Sequence, residues 1–443
     1  MKGKKENSEK LTTSMKVLLL LIVGYCFWIY YYCNPKPLDY YDYTFRVADN
    51  FLHGAIGFRN APPGWLNEFV PFEGFWYSVF PLGGVVTMLP FALFKYLGLI
   101  SEMPGSLIAA LTAGGICGFL ILIARRYTLG LSKLILLVCA MMFGTWMWTN
   151  LAMAGAWQLA LGFAMLGELG AIYFTVFDRR PLLAGFFFAL AFGNRTEVLL
   201  TTPLLAYLLL RGEGEGEKRR RGEEEKRRKG EGVSGQVRKQ TNPKSEIRNP
   251  KSKWSEIRNL LWFCFVPFIL GILTLGYNYL RFHSLTDFGY ARIPGVLEEP
   301  WYAYGIFSLR YIPANFYEML LKPWNRLADF PYLVPNGFGG AIWLSSPFLF
   351  LVFRRGARDK TLKYAAWAAI AALTFLLWTH GNAGGWQFGY RYAMTLLPWL
   401  FLILLETGPP EIRWYEWPVY LFSIALNTYA TWLFFWTDYI RTY

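Results

Sequence analysis

Few residues in this chain could do chemistry, and they stand among unusually apolar neighbours. Carboxylates gather early, in Pro35–Gly74, where Asp39, Asp42, Asp49, Glu68 and Glu73 accompany Tyr43, Arg46 and His53. Two arginines interrupt apolar sequence much later: Arg195 in Gly193-Asn-Arg-Thr-Glu197, and Arg391 closing the stretch that opens at His380. A further polar group, 281–337, carries Asp287, Tyr290, Arg292, Arg310 and Tyr311. A guanidinium presents a planar fork of donors that matches phosphate oxygens, and it stays charged in dry surroundings. A carboxylate can take a proton from an acceptor hydroxyl or orient it. Arginines with carboxylates on one face therefore suit chemistry on a phosphorylated lipid. Each residue also has a plainer reading. Arg391 could snorkel or pair with a carboxylate, Arg195 could pair with Glu197 across a helix break, and Asp49 and Glu73 fit ordinary solvated loop positions.

The elements that must position these groups follow from composition. Of 443 residues, 54% are hydrophobic, 19% aromatic and 17% charged, which is short of the quarter charged that soluble domains carry. The formal charge is +14, and 211–259 supplies +7 of it from 16 Lys/Arg and 9 Asp/Glu. A soluble enzyme is excluded, as is a nucleic-acid binder with basicity spread over one folded face. The five cysteines, Cys26, Cys33, Cys117, Cys139 and Cys264, lie in apolar stretches without a CxxC pair and read as buried thiols.

A membrane-crossing helix needs about 20 apolar residues. Such stretches predict an all-α polytopic bundle of eleven crossings: Val17–Cys33, Ser106–Ala124, Leu134–Asn150, Trp157–Phe177, a short broken hairpin Leu182–Phe192 and Val198–Leu210, then Leu261–Leu280, Phe338–Phe353, Tyr364–Trp378, Ala393–Leu405 and Trp417–Trp436. Trp76–Leu99, with Pro81, Gly83, Gly84, Pro90 and Lys95, reads as an interfacial or re-entrant piece. This count puts Met1–Lys10, Arg125–Arg126–Lys133, Arg179–Arg180, the 211–259 insert and Arg354–Lys360 on one side, as the positive-inside rule requires. The N-terminus is then cytoplasmic, the C-terminal Tyr443 is outside, and all four polar groups share the non-cytoplasmic face. The chain divides into an N-terminal membrane half (1–210) with an outer loop at 34–75, the insert, and a C-terminal half (260–443) with an outer loop at 281–337. The insert alternates Gly, Glu and Lys/Arg and repeats Ser245-Glu-Ile-Arg-Asn249 as Ser255-Glu-Ile-Arg-Asn259, a composition for which disorder is expected.

Asp39-Tyr-Tyr-Asp-Tyr43, Ala48 and Gly54 resemble the first extracytoplasmic loop of the GT-C polytopic glycosyltransferases, which include protein mannosyltransferases and lipid A aminoarabinose transferases. In those proteins an Asp after the first span is followed four residues on by Tyr and by a short amphipathic helix ending near Gly. Asp39, Tyr43 and Gly54 fit that spacing, and Asp42 is the competing Asp. Phe75-Trp-Tyr-Ser-Val-Phe-Pro-Leu-Gly83, Gly144-Thr-Trp-Met-Trp148, Asn278-Tyr-Leu-Arg-Phe282 and Gly385–Tyr392 with Pro398 are similar to later segments of the family, in matching order. The chain lacks the Glu-Lys-Pro motif of the best-known members, for which Glu68 and Glu73 are the nearest candidates. It also lacks their long soluble C-terminal domain.

The resemblance implies transfer of a sugar, with inversion, from a polyprenyl-phosphate donor to an acceptor glycan, lipid or protein outside a bacterial inner membrane. It implies Asp39 or Asp42 as base, and Arg195, Arg391, His380, Glu68 and Tyr43 as ligands of substrate and lipid phosphate. Some relatives use a divalent metal; no His/Asp/Glu spacing here demands one, and nucleic acid has no place. A transporter or flippase of lipid-linked saccharides is the rival from another class, although no repeat relates the two halves. A surface-polysaccharide polymerase or ligase is the rival enzyme.

Overall fold

Apolar runs of this length can satisfy their backbone groups without water only as helix, and the computed structural model, which describes residues 13–211 and 250–440, is predominantly helical. Six helices are long and apolar enough to cross a membrane: α1 (Thr13–Tyr32), α4 (Gly105–Ala124), α7 (Ala156–Ile172) with its π-helical extension to Phe177, α10 (Pro250–Phe282), α13 (Lys360–Thr379) and α15 (Glu416–Trp436). Their outward faces are what a membrane protein requires. In the most apolar window of α10 only 11% of residues are buried, and in α1 17%, so Leu20, Leu21, Leu261 and Phe268 stand fully outward. Water would not tolerate apolar surface on this scale.

The remaining expected spans are shorter or interrupted, for local reasons. The stretch Leu134–Asn150 is α5 (Leu131–Phe143), ended by Gly144, followed by α6 (Met147–Ala152). The broken hairpin is α8 (Pro181–Asn194), an extended Arg195, a 3-10 turn Thr196–Thr201, and α9 over 202–211. The span expected at Phe338–Phe353 is a four-residue helix α12 (Ile342–Ser345), then a 3-10 segment Pro347–Phe353; Pro347 lacks the N–H that a continuing helix would need. Ala393–Leu405 begins as a 3-10 turn at Arg391–Leu396 and continues as α14 (Leu397–Thr407). The disorder expected over 211–259 falls mainly outside the described residues, but its last ten residues form the start of α10. Met1–Lys10 and Tyr443 also lie outside the described residues.

Helices pair as α1 with α4, α7 with α8, α8 with α10, α13 with α14, and α5 with α15. One end of the bundle collects the expected cytoplasmic basic groups. There Lys133 and Arg354 converge on Glu416, Tyr127 donates to Glu406 at 2.7 Å, and Arg211 meets Asp359 at 2.9 Å. Asp359 also accepts from the Thr361 and Leu362 N–H groups at the start of α13.

The opposite end is capped by irregular chain. After α1 come α2 (Tyr43–Leu52) and a hairpin of β1 (Phe69–Phe72) and β2 (Phe75–Ser78), paired Phe72 to Phe75. Its two-residue turn needs left-handed backbone, taken by Glu73 at φ 47° and Gly74 at φ 79°. Then α3 (Leu82–Tyr96) lies along α2. A Cβ at its Gly83 would fall on the Gly193 backbone, while its Lys95 pairs with Asp49 of α2 at 2.9 Å. The late loop, 283–341, covers the rest of this end with short turns and a small pair of strands, β3 (Asn325–Arg326) and β4 (Leu333–Val334).

Candidate functional site

Four breaks in regular structure meet at the irregular end. The first residues of α7 bring Trp157, the turn before β1 brings Glu68, the α8 break brings Arg195 and Glu197, and the 3-10 turn before α14 brings Arg391 and Tyr392. Trp157 is aimed by its loop: the Ala156 N–H bonds to the Tyr41 carbonyl at 3.0 Å, and the Leu38 N–H to the Met153 carbonyl at 2.7 Å. Between them Ala154 holds φ 60°, a left-handed conformation that is uncommon for a residue with a Cβ. The indole Nε1 of Trp157 donates to both Glu68 oxygens at 2.9 Å.

The two arginines share one aromatic ring. The guanidinium of Arg195 lies 4.7 Å from the Tyr392 ring centre, and that of Arg391 lies 5.1 Å from it and 6.0 Å from Trp157. Their electrostatic situations differ. Arg195 is paired with Glu197, Nε to Oε1 at 2.7 Å. Arg391 is 7% exposed and has only the Tyr392 hydroxyl at 3.3 Å and the Trp386 carbonyl at 3.5 Å, and its Nε is buried without a partner. It forms no ion pair among the described residues. A buried guanidinium without a counter-charge is costly, and such a site is ready for an anion.

Glu68 is a carboxylate that feels that charge. Burial pushes its pKa up to about 7, while the Trp157 N–H and the charges of Arg391 and Arg195 pull the other way. His380, at the end of α13, sits among rings, with centroids of Phe307 at 5.3 Å, Tyr302 at 6.0 Å and Tyr392 at 6.2 Å. Burial lowers its pKa first, Arg195 and Arg391 lower it further, and the bond to the Asn382 carbonyl and the charge of Glu197 oppose them.

Of the residues expected from sequence, Arg195, Arg391, His380 and Glu68 are thus brought together, with Tyr43 at the edge. The Tyr43 hydroxyl donates to Asn67 Oδ1 at 3.0 Å, its ring lies 5.1 Å from Trp157, and burial raises its pKa. Asp39 and Asp42 do not join the arginines. The Cβ of Asp39 packs at Gly105, where an added Cβ would stand 2.8 Å away. Its pKa is raised by burial first and by Glu102 and Asp42 second. Asp42 pairs with Arg46 at 3.0 Å, and burial raises its pKa against that pairing. The Trp157 ring lies against those of Tyr41, at 5.0 Å, and Tyr43, at 5.1 Å.

Sequence reasoning missed the roles of Trp157 and Tyr392. Both are aromatic residues in or beside apolar runs, where an indole or phenol that organises charge looks like one that anchors at an interface. No group of three or more His, Cys, Asp or Glu among the described residues could hold a metal ion. No family model, curated protein or solved structure matches the chain.

Proposed function

We propose that the chain is a polytopic membrane glycosyltransferase of GT-C type, moving a sugar from a polyprenyl-phosphate donor to an acceptor outside a bacterial inner membrane. The observation that carries this reading is Arg391: buried, without a carboxylate partner, and beside a second arginine at the mouth of an apolar bundle. Arg391 and Arg195 hold the donor phosphate, where negative charge develops as the sugar–phosphate bond breaks, and donors fixed beforehand cost no reorganisation at that moment. The sugar lies against Tyr41, Trp157 and Tyr43.

In this proposal Asp39 serves the face of the anomeric carbon opposite the phosphate, because inversion requires base and leaving group on opposite faces of that carbon. The acceptor oxygen forms the new bond to that carbon, its proton passes to the Asp39 carboxylate, and the lipid phosphate departs. The raised pKa of Asp39 makes it a better proton acceptor than an exposed aspartate. In this reading the interrupted segments complete a bundle of about eleven crossings, with α2 at the interface and the N-terminus cytoplasmic.

The test uses the purified full chain and a polyprenyl phosphodiester. Arg391→Gln is expected to weaken its binding by roughly 10–150-fold, the value of a hydrogen bond to a charged group. Asp39→Asn is expected to bind it normally while abolishing transfer in membranes. Unchanged binding in Arg391→Gln would remove the phosphate site; full transfer in Asp39→Asn with loss in Asp42→Asn would move the base to Asp42.

A further inference from the structure

The late outer loop carries a face that the charged cluster does not use. Its segment 304–321 makes a 3-10 turn at Leu309–Tyr311, then α11 (Ile312–Phe316) and a π-turn Tyr317–Leu321. The inward stripe recurs every four residues and is locked in place. The Tyr311 hydroxyl accepts from the Tyr304 N–H at 2.7 Å and donates to the Gly305 carbonyl at 2.8 Å. Asn315 Nδ2 caps α13 by donating to the carbonyls of Trp378 at 3.0 Å and His380 at 2.7 Å. Met319 is buried and lies against the Trp378 indole.

The outward stripe should be polar if it faced water, and it is apolar. Phe307 is 58% exposed, Leu309 65% and Leu321 55%, with Tyr304, Phe316 and Tyr317 also open. This strip continues the outward face of α13, since the Phe316 ring meets Trp378 at 5.3 Å and Phe375 below it is exposed. Arg310 rises from the same turn over the Tyr304 ring at 4.7 Å, with no ion pair among the described residues. Apolar and aromatic residues beneath an unpaired cation make the pattern of a helix lying in a bilayer interface.

We propose that 304–321 is an interfacial anchor seated in the outer leaflet, with Phe307, Leu309, Phe316 and Leu321 among the acyl chains and Arg310 at the level of anionic headgroups. The segment touches the candidate site through Phe307 and His380, which pair by a backbone bridge. Anchoring therefore fixes one wall of the site at the membrane surface. The proposal rests on the reading that the bundle is inserted in a membrane, and the test separates the two.

The full chain is placed in nanodiscs of mixed phosphatidylcholine and phosphatidylglycerol. A thiol-reactive fluorophore is attached either at native Cys264, exposed on α10, or at Leu309→Cys or Phe307→Cys in a Cys264→Ser background. Quenching by a lipid-borne nitroxide is compared with quenching by aqueous iodide. The expected result is several-fold stronger quenching by the lipid at Cys264 and at both loop positions. Lipid quenching at Cys264 with iodide quenching at both loop sites overturns the anchor and leaves the membrane reading standing. Iodide quenching at all three positions overturns both.

Discussion

At the scale of single residues, the proposed anion site should respond to the proton on Glu68. Its pKa of about 7 leaves it neutral below that pH, which under the proposed function leaves the charge of Arg391 for the phosphodiester anion. Above it, the ionised carboxylate competes for the same guanidinium. Binding of a polyprenyl phosphodiester, whose own charge is constant, should therefore weaken as pH rises through 7, by up to about tenfold per unit. Glu68→Gln should flatten that dependence. A titration of affinity against pH checks both, and a flat wild-type curve would separate Glu68 from the anion. The sequence made Arg195 and Arg391 legible as candidates because charge inside apolar sequence is conspicuous, while Glu68 and His380 entered through the polar segments and the family resemblance. It could not reveal that Arg195 spends its charge on Glu197 while Arg391 stays free, since that difference arises from which breaks in four separate segments meet. Trp157 was hidden for the same reason: its indole acts through a carboxylate 89 residues earlier in the chain.

Among elements, the contact between α3 and α8 sets how the early loop and the Arg195 break meet. The two backbones touch through Gly83 and Gly193, and no side chain fits between them. Gly83→Val should push the helices apart and cost about 1–3 kcal/mol, the usual range for overpacking. Gly84→Ala, whose Cβ would meet Thr44 Cγ2 at an ordinary 3.4 Å, should be close to neutral. Thermal unfolding in detergent measures both, and equal effects would show that the contact is slack. Hydropathy located the long helices, with α13 and α15 within a few residues of the expected segments. It overran at 338–353 and 134–150 because an average over an apolar window does not register Gly144 or Pro347. Backbone geometry registers both.

Across the whole molecule, one end is held by charge and the other by loops. The charged end depends on Glu416, which is fully buried and accepts from Lys133 and Arg354 at once. Glu416→Gln strands two cations in a dry setting and should cost about 3–5 kcal/mol. Asp178→Asn, which breaks the exposed pair with Arg180, should cost less than about 1 kcal/mol. A comparable loss of thermal midpoint in both variants would mean that the buried network is not what holds this end. The expectation that basic and site residues stand at opposite ends came from the positions of Lys and Arg between apolar runs. The first helix adds a consequence for how the molecule is made. Its long partner α4 lies downstream of the entire early loop, its Tyr30 hydroxyl reaches the Met142 carbonyl in α5, and the carbonyl of Cys33, just beyond it, accepts from Trp436 at the end of α15. During synthesis α1 emerges with its apolar surface largely uncovered, and its contact with α15 can form only after the chain has been made through Trp436, 403 residues beyond Cys33.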